Sequence, residues 1–395
     1  MRRAVVLLAV CSGGCLGTLK HGFVDTVMVA ADRPRPGRVF VRRGDETLRL
    51  LAGDFHCHVT PPDGRPHVVR ELDATVELAR QEGLDFLVLT PHVRARTLHL
   101  PAVQRRLLDA MANVRAVRGG PVLIFGFEYT DFSYGHAGMA FGDLPRALER
   151  ASDEDPAAFV RTYLASGGIA TINHPLLLPV DTPIAVSTWD LSWRPLVEPA
   201  RYPPDLELID RRAATYEAFN LAIADLRDRF LFFDPERSIR RVLAAFDDKI
   251  LRERRRLTPV GGSDTHGHHL RATTFVLATS NTRAAIADGV RRGRTCVRAP
   301  EACRTMIRVD GGPWAIVGDA RFGRDVEVRA PSGAEVLVNG ENVGARFAVD
   351  PKTCSIVRTR VGRGFSAPIY VNCGFAARRP RAGLLPTAVV PSATP

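Results

Sequence analysis

Lysine is nearly missing from this 395-residue chain, occurring only at Lys20, Lys249 and Lys352. The net charge of +11 is therefore carried almost wholly by arginine, a bias that GC-rich coding also produces. The arginines are spread along the chain, and their longest run, Arg254-Arg255-Arg256, reads as a solvated helix end. Aromatic residues make up only 7%. Nowhere do they interleave with basic residues as a nucleic-acid groove would require, so the expectation is against nucleic acid as partner. Long apolar runs are lacking too. The run from Ala4 to Val10 is far short of the ~20 residues of a membrane-spanning helix, and no later run reaches that length. Internal repeats are absent.

What is present is ordinary for a globular protein, with 45% hydrophobic and 25% charged residues. The length predicts a large core domain with something smaller attached. Met1-Arg2-Arg3 followed by a short apolar stretch and small residues fits an export signal over 1–15. Ser12-Gly13-Gly14-Cys15 loosely matches a bacterial lipoprotein box, which makes Cys15 a candidate lipid anchor. The expected location is the periplasm or the bacterial envelope; the alternative is a fraying N-terminus with no sorting role. Past the signal lie Cys57, Cys296, Cys303, Cys354 and Cys373. In an oxidising compartment the last four are expected to pair as two disulfides. Otherwise they are buried thiols.

Residues 16–48 read as a leader with one strand-like stretch at 38–42. From about Leu50, short apolar strands alternate with amphipathic helices, the signature of a β/α architecture. The spacing of Leu72, Val76 and Ala79 predicts a helix over 68–81, stopped by Gly83. Strands are predicted at 86–89, 122–125 and 169–172, and a long helix over 236–255. From Met306 the helices stop. Runs such as 325–329, 334–338 and 369–372 predict a small β-sandwich-like domain over 306–375, after a main domain over 49–305. The Pro-, Ala- and Arg-rich tail, 376–395, is expected to be disordered.

The chemistry clusters at predicted strand ends. In Asp54-Phe55-His56-Cys57-His58, strand alternation puts His56 and His58 on one side and Cys57 on the other. Later strands end in Thr90-Pro91-His92, in Gly126-Phe127-Glu128 with His136 shortly after, in Asn173-His174-Pro175 and in Gly262-Ser263-Asp264-Thr265-His266. In a parallel β/α barrel the C-terminal strand ends converge on one mouth. Successive strands would deliver a run of metal-capable side chains there, a pattern too regular for chance.

This series of motifs, over about 53–298, resembles the PHP superfamily, named for polymerase and histidinol-phosphate phosphatase domains. The phrases Gly53-Asp54-Phe55-His56, Tyr216-Glu217-Ala218-Phe219-Asn220 and Gly262-Ser263-Asp264-Thr265-His266 look most like its exported carbaryl-hydrolase-like (CehA/McbA) branch. The resemblance implies an α/β fold, a distorted seven-stranded β/α barrel, with a small C-terminal β domain. It implies two or three divalent metal ions. His56, His58, Glu128 and Asp264 would hold the first, Glu128 would bridge to a second held by His136 and His174, and Asp63, His92 and His266 would hold a third. Such cations lower the pKa of bound water and so generate a hydroxide without a side-chain nucleophile. Mixed imidazole and carboxylate ligands suit Mn, Fe or Zn.

The expected activity is metal-dependent hydrolysis of a small-molecule ester or phosphoester, a phosphoesterase first, with Glu128, Asp264 and His266 catalytic. A carboxylesterase or amidase of the same fold is the alternative, and a catalytically inactive envelope metal-binding module is the alternative from another class. Three departures from the family pattern stand out: Pro91 in place of an acidic residue, Cys57 between two histidines, and Pro61-Pro62 before Asp63, which leaves Asp63-Gly64 readable as a surface turn. His67 and His99 are expected at the surface, while His268 and His269 stay unassigned. The long Pro-rich segment 176–204 carries Trp189 and Trp193, which either wall a pocket beside the metals or pin the loop to the barrel.

Overall fold

Residues 40–43, 46–65, 67–176, 193–197, 201–225, 235–267 and 270–375 are described in this computed structural model. The signal and lipid-anchor expectations, Trp189, His268, His269 and the tail 376–395 fall outside them.

Strand β1 (Phe40–Arg43) pairs antiparallel with β2 (Glu46–Cys57). From Leu50 onward β2 is buried at every position, as expected of a strand covered on both faces. Helix α1 (Leu72–Gln81) leads into β3 (Phe86–Leu89) and β4 (His92–Arg94). Next come α2 (Pro101–Ala116), β5 (Val122–Asp131), β6 (Gly135–Ala140), α3 (Leu144–Leu148), α4 (Pro156–Ala165) and β7 (Ile169–Ile172). Helices α5 (Arg194–Val197) and α6 (Pro204–Arg212) precede β8 (Thr215–Asn220) and α7 (Leu221–Asp225). Helix α8 (Pro235–Glu253), β9 (Thr258–Gly262), β10 (Thr274–Ala278), α9 (Arg283–Arg291) and β11 (Thr295–Val297) follow.

The fold is mixed α/β. Pairing is parallel between β2 and β3 and between β3 and β5, antiparallel for β5–β6 and β6–β7, then parallel for β7–β8 and β8–β9. Beyond β9 the chain returns to the end of β2: Asp264 N–H donates to His56 O at 2.6 Å and His58 N–H to Thr265 O at 3.1 Å. β6, not predicted from the sequence, runs against both its partners. That reversal is what brings His136, at the start of β6, level with Thr130 near the end of β5.

Two element boundaries differ from the sequence reading for tertiary reasons. Residues 68–70 are not helical, because Val69 N–H donates to His266 O and Thr60 N–H to Arg70 O. The strand predicted to end at 125 runs on to Asp131, because β4 and β6 extend the ladder on its two sides.

The C-terminal strands fall into two groups. β12 (Met306–Val309), β13 (Ala315–Ile316), β15 (Asp325–Arg329) and β18 (Arg346–Ala348) form a four-stranded sheet, with β14 (Ala320–Arg321), β16 (Glu335–Val338) and β17 (Glu341–Val343) between them in the chain. β19 (Ser355–Val361), β20 (Gly364–Ser366) and β21 (Ile369–Val371) instead continue the main sheet, since β20 pairs with β11. One apolar cluster joins Phe275, Leu277 and Ala302 to Ile307, Val357 and Val371, so sheet and core run through position 306. Arg358 on β19 is buried against Asp247 of α8 and Tyr216 of β8. Cys296–Cys303 and Cys354–Cys373 are disulfides, so the four cysteines expected to pair do so, and Cys57 is free. Among the described residues no helix is long and apolar enough to cross a membrane.

Candidate metal centre

The alternation at the end of β2 sends His56 and His58 inward. Cys57 points outward into an apolar cluster with Val59, Leu87 and Leu89, where burial pushes its thiol up to about 12. β4 resumes the line of β3 after Thr90-Pro91 and sets His92 opposite Glu128. The carbonyl of Pro91 accepts from Glu128 N–H at 2.9 Å. His174 (φ 28°) and Asp264 (φ 50°) both adopt left-handed backbone at their strand ends, a conformation that persists only where the surroundings enforce it. Glu217 does so for His174, accepting its backbone N–H at 2.7 Å.

Glu128 lies at the centre, 1% exposed. Its Oε1 is 3.2 Å from His56 Nε2, 3.2 Å from His136 Nδ1 and 3.3 Å from His174 Nε2. Its Oε2 is 3.2 Å from His92 Nε2 and 3.8 Å from His58 Nε2. Asp264 Oδ1 lies 3.2 Å from His58 Nε2 and 3.6 Å from His56 Nε2. His58 and His266 approach with ring centroids 4.1 Å apart. The side chains gather into overlapping sets able to hold a metal ion: His56, His58 and Glu128; Glu128, His136 and His174; His56, His174 and Glu217; and His58, His92 and His266.

A second layer orients the imidazoles. His56 Nδ1 is 3.1 Å from Glu217 Oε1, which leaves Nε2 facing Glu128. Asp63 accepts at both oxygens, from His58 Nδ1 at 3.1 Å and from His92 Nδ1 at 3.1 Å, and also from His92 N–H at 2.8 Å. It is therefore no surface turn: at 6% exposure it is part of the site, but its oxygens hold the backs of two histidines, as carboxylates behind metal-binding imidazoles do. Asn220 Nδ2 bridges Glu217 and Asp264, and Asn173 Nδ2 donates to Glu128 Oε1. β9 passes so close that a Cβ on Gly262 would overlap Glu217 Oε1 and His56 Cβ.

Charge and burial pull against each other here. Burial disfavours the imidazolium of His56, yet Asp264, Glu128 and Glu217 outweigh it and hold its pKa well above the ordinary value. Glu128 is likewise buried, but His136 and His56 hold its carboxyl well below the usual range. Burial pushes the pKa of His136 down. Neither ring nitrogen of His136 makes a hydrogen bond, although both are buried and Nδ1 points at Glu128. His56 Nε2 and His58 Nε2 stand only 3.1 Å apart. Orphaned buried imidazole nitrogens beside crowded nitrogen and carboxylate atoms are what a divalent cation satisfies, and the residues fit one.

All nine residues singled out from the sequence, His56, His58, Asp63, His92, Glu128, His136, His174, Asp264 and His266, meet in this one cluster. Two others belong with them. Glu217 lay inside a quoted phrase without a role, and only its contact with His56 across 161 positions reveals one. His67, expected at the surface, is half-buried with its ring centroid 4.9 Å from that of His92, tilted, and 4.8 Å from that of His266, edge-on. His99 is half-buried away from the cluster, beside Tyr129 and Phe159. Trp193 walls no pocket: it is fully buried, donates to Asp210 Oδ1 at 2.9 Å and ties its backbone to Pro175.

No protein-family model and no curated protein matches the chain. Among solved structures it is similar to a two-domain protein from Bacteroides vulgatus containing a predicted PHP-like metal-dependent phosphoesterase. That likeness has 18% identity and a TM-score of 0.42, over 85% of this chain and 98% of the other. PsfC from Pseudomonas syringae matches at 16% identity and TM-score 0.35, over 61% and 87%. The lesion-specific endonuclease PfuEndoQ from Pyrococcus furiosus matches at 12% identity and TM-score 0.34, over 68% and 57%.

Proposed function

We propose that the protein is a metal-dependent hydrolase of the PHP type, a phosphoesterase first, with the carbaryl-hydrolase-like branch as its place in that superfamily. The observation that carries the reading is Glu128, one buried carboxylate with five imidazoles within 3.8 Å of its oxygens. The succession of pairings from β2 to β9, closed by the Asp264 and His58 backbone bonds, supports the distorted seven-stranded barrel.

His56, His58, Glu128 and Asp264 would hold one cation, and Glu128, His136 and His174 a second. His92 and His266 would hold a third, with Asp63 orienting rather than binding. Bound there, divalent cations activate water and polarise a phosphoryl or carbonyl oxygen. The chain's own part is to fix the imidazoles. Glu217 and Asp63 keep protons on Nδ1 of His56, His58 and His92, leaving each Nε2 free as a donor atom. Asp264 and His266 carry their catalytic role through the cations they would hold, Asp264 at the first and His266 at the third. Manganese, iron or zinc fits the donor chemistry. The two disulfides support an oxidising compartment, hence export to the periplasm or a lipid anchor at Cys15. Small-molecule esters are part of the proposal, and cleavage of plasmid DNA by the loaded protein would count against it.

Glu128→Ala is the direct test. Metal content by mass spectrometry and release of nitrophenol from phosphate and carboxylate esters should both collapse. A variant retaining full metal content and turnover overturns the reading. Metal retained by the wild type with no turnover on either ester favours the inactive binding module.

A further inference from the structure

The segment that follows Asp63 is fastened to the loop after β9. Val68 is fully buried, and Val69 N–H donates to His266 O at 3.2 Å. The Arg70 guanidinium donates to Gly267 O and to Thr265 Oγ1. Thr60 N–H donates to Arg70 O at 3.0 Å, which closes the segment on itself. These bonds fix the place of His67, directly before Val68. Its imidazole is half-buried against two rings of the metal centre, His92 of β4 and His266 beyond β9.

The spacing of these three rings suits ligands of one cation. With a metal–nitrogen bond of about 2.1 Å and ligand angles of about 90–110°, imidazoles that share a cation stand with centroids about 4.6–5.3 Å apart. His67 to His92, His67 to His266 and His92 to His266 measure 4.9, 4.8 and 5.2 Å. His58 also brings a nitrogen close to those of His92 and His266, but its ring packs on theirs at 4.0 and 4.1 Å, tighter than that range. Its Nε2 moreover faces Asp264 Oδ1 at 3.2 Å, toward the first cation. Asp63, the acidic residue of the segment, is engaged elsewhere, since its two oxygens accept from Nδ1 of His58 and of His92. A third cation thus needs a ligand beyond His92 and His266, and His67 is the side chain held beside both.

We propose that His67 is a metal ligand and completes, with His92 and His266, an all-imidazole site for the third cation, a donor set that suits zinc and leaves a position open for water. The inference rests on the metal-dependent hydrolase reading, and the experiment separates the two. Full-length protein stripped by chelator is saturated with zinc, freed of excess by gel filtration, and its bound zinc is counted by mass spectrometry. The wild type should hold three equivalents per chain. His67→Phe, which keeps a ring in the same space and removes the donor nitrogens, should hold two. If that variant does not fold, His67→Gln serves in its place, with the same loss of one equivalent. Three equivalents in the His67 variant, or only two in the wild type, overturns the inference and leaves the hydrolase reading standing on its first two cations. Failure of the wild type to retain any zinc overturns that reading and this inference with it.

Discussion

At the scale of single residues, Glu217 and His56 bear on how the site loads. In the cation-free protein the raised pKa of His56 reflects three carboxylates outweighing burial. A cation must displace that proton, so affinity rises with pH until His56 is neutral in the free protein. The stability of the cation-free protein runs the other way. A raised folded pKa contributes stability below the unfolded value, and this is lost as pH rises through the folded one. Metal titrations at increasing pH should therefore show tightening affinity with proton release into a weakly buffered solution, while melting of the stripped protein shows the opposite slope from this group. Affinity that is flat in pH would contradict the assignment. Glu217→Gln keeps the shape and removes the negative charge behind Nδ1. It should weaken metal binding about 10- to 100-fold, the range for outer partners of metal-binding histidines, with little change in melting temperature. Unchanged metal affinity would mean that Glu217 only holds the His174 backbone.

Among the elements, β9 is the most constrained by the site. Gly262→Ala would force its Cβ into His56 and Glu217, so the strand or the histidine must move. The expected outcome is a loss of about 1–3 kcal/mol in urea melts together with reduced metal content; normal metal content would show that the strand gives way without moving the ligands. What the sequence disclosed at this level follows from locality. His-x-His on a strand, a strand ending in Glu128, and Asp264-x-His266 are patterns within a few residues, and the period of two carried them. β3, β7 and β15 were legible end to end for the same reason. Glu217 and His67 were not, because each acquires its meaning from a partner far along the chain. The start of α1 was misplaced because Val69 gives its N–H to His266, a bond no local pattern announces. The reversed direction of β6 was hidden because a strand's composition carries no sign of its polarity.

For the whole molecule, the C-terminal strands matter through their attachment. Cys354–Cys373 joins the chain just before β19 to that just after β21, and Cys296–Cys303 joins β11 to the turn that follows it, each contributing ~2–4 kcal/mol by constraining the unfolded chain. Thiol labelling of the unfolded, unreduced protein should modify Cys57 and neither pair, and reductant should lower the melting temperature. Labelling of all five cysteines beyond Cys15 would rule the disulfides out.

The bonds joining Asp264 to His56 and His58 to Thr265 also carry a consequence for assembly. They link positions about two hundred apart, so the ring of strands closes only after its last strand exists, and contacts of such separation form slowly. The first two histidines are made early, but the pocket that needs them waits for residues 264–266. Closure of the ring is expected to precede full metal uptake, and a chain truncated before β9 would keep most of the ligands but lose Asp264, His266 and the backbone bonds that seat them against His56 and His58.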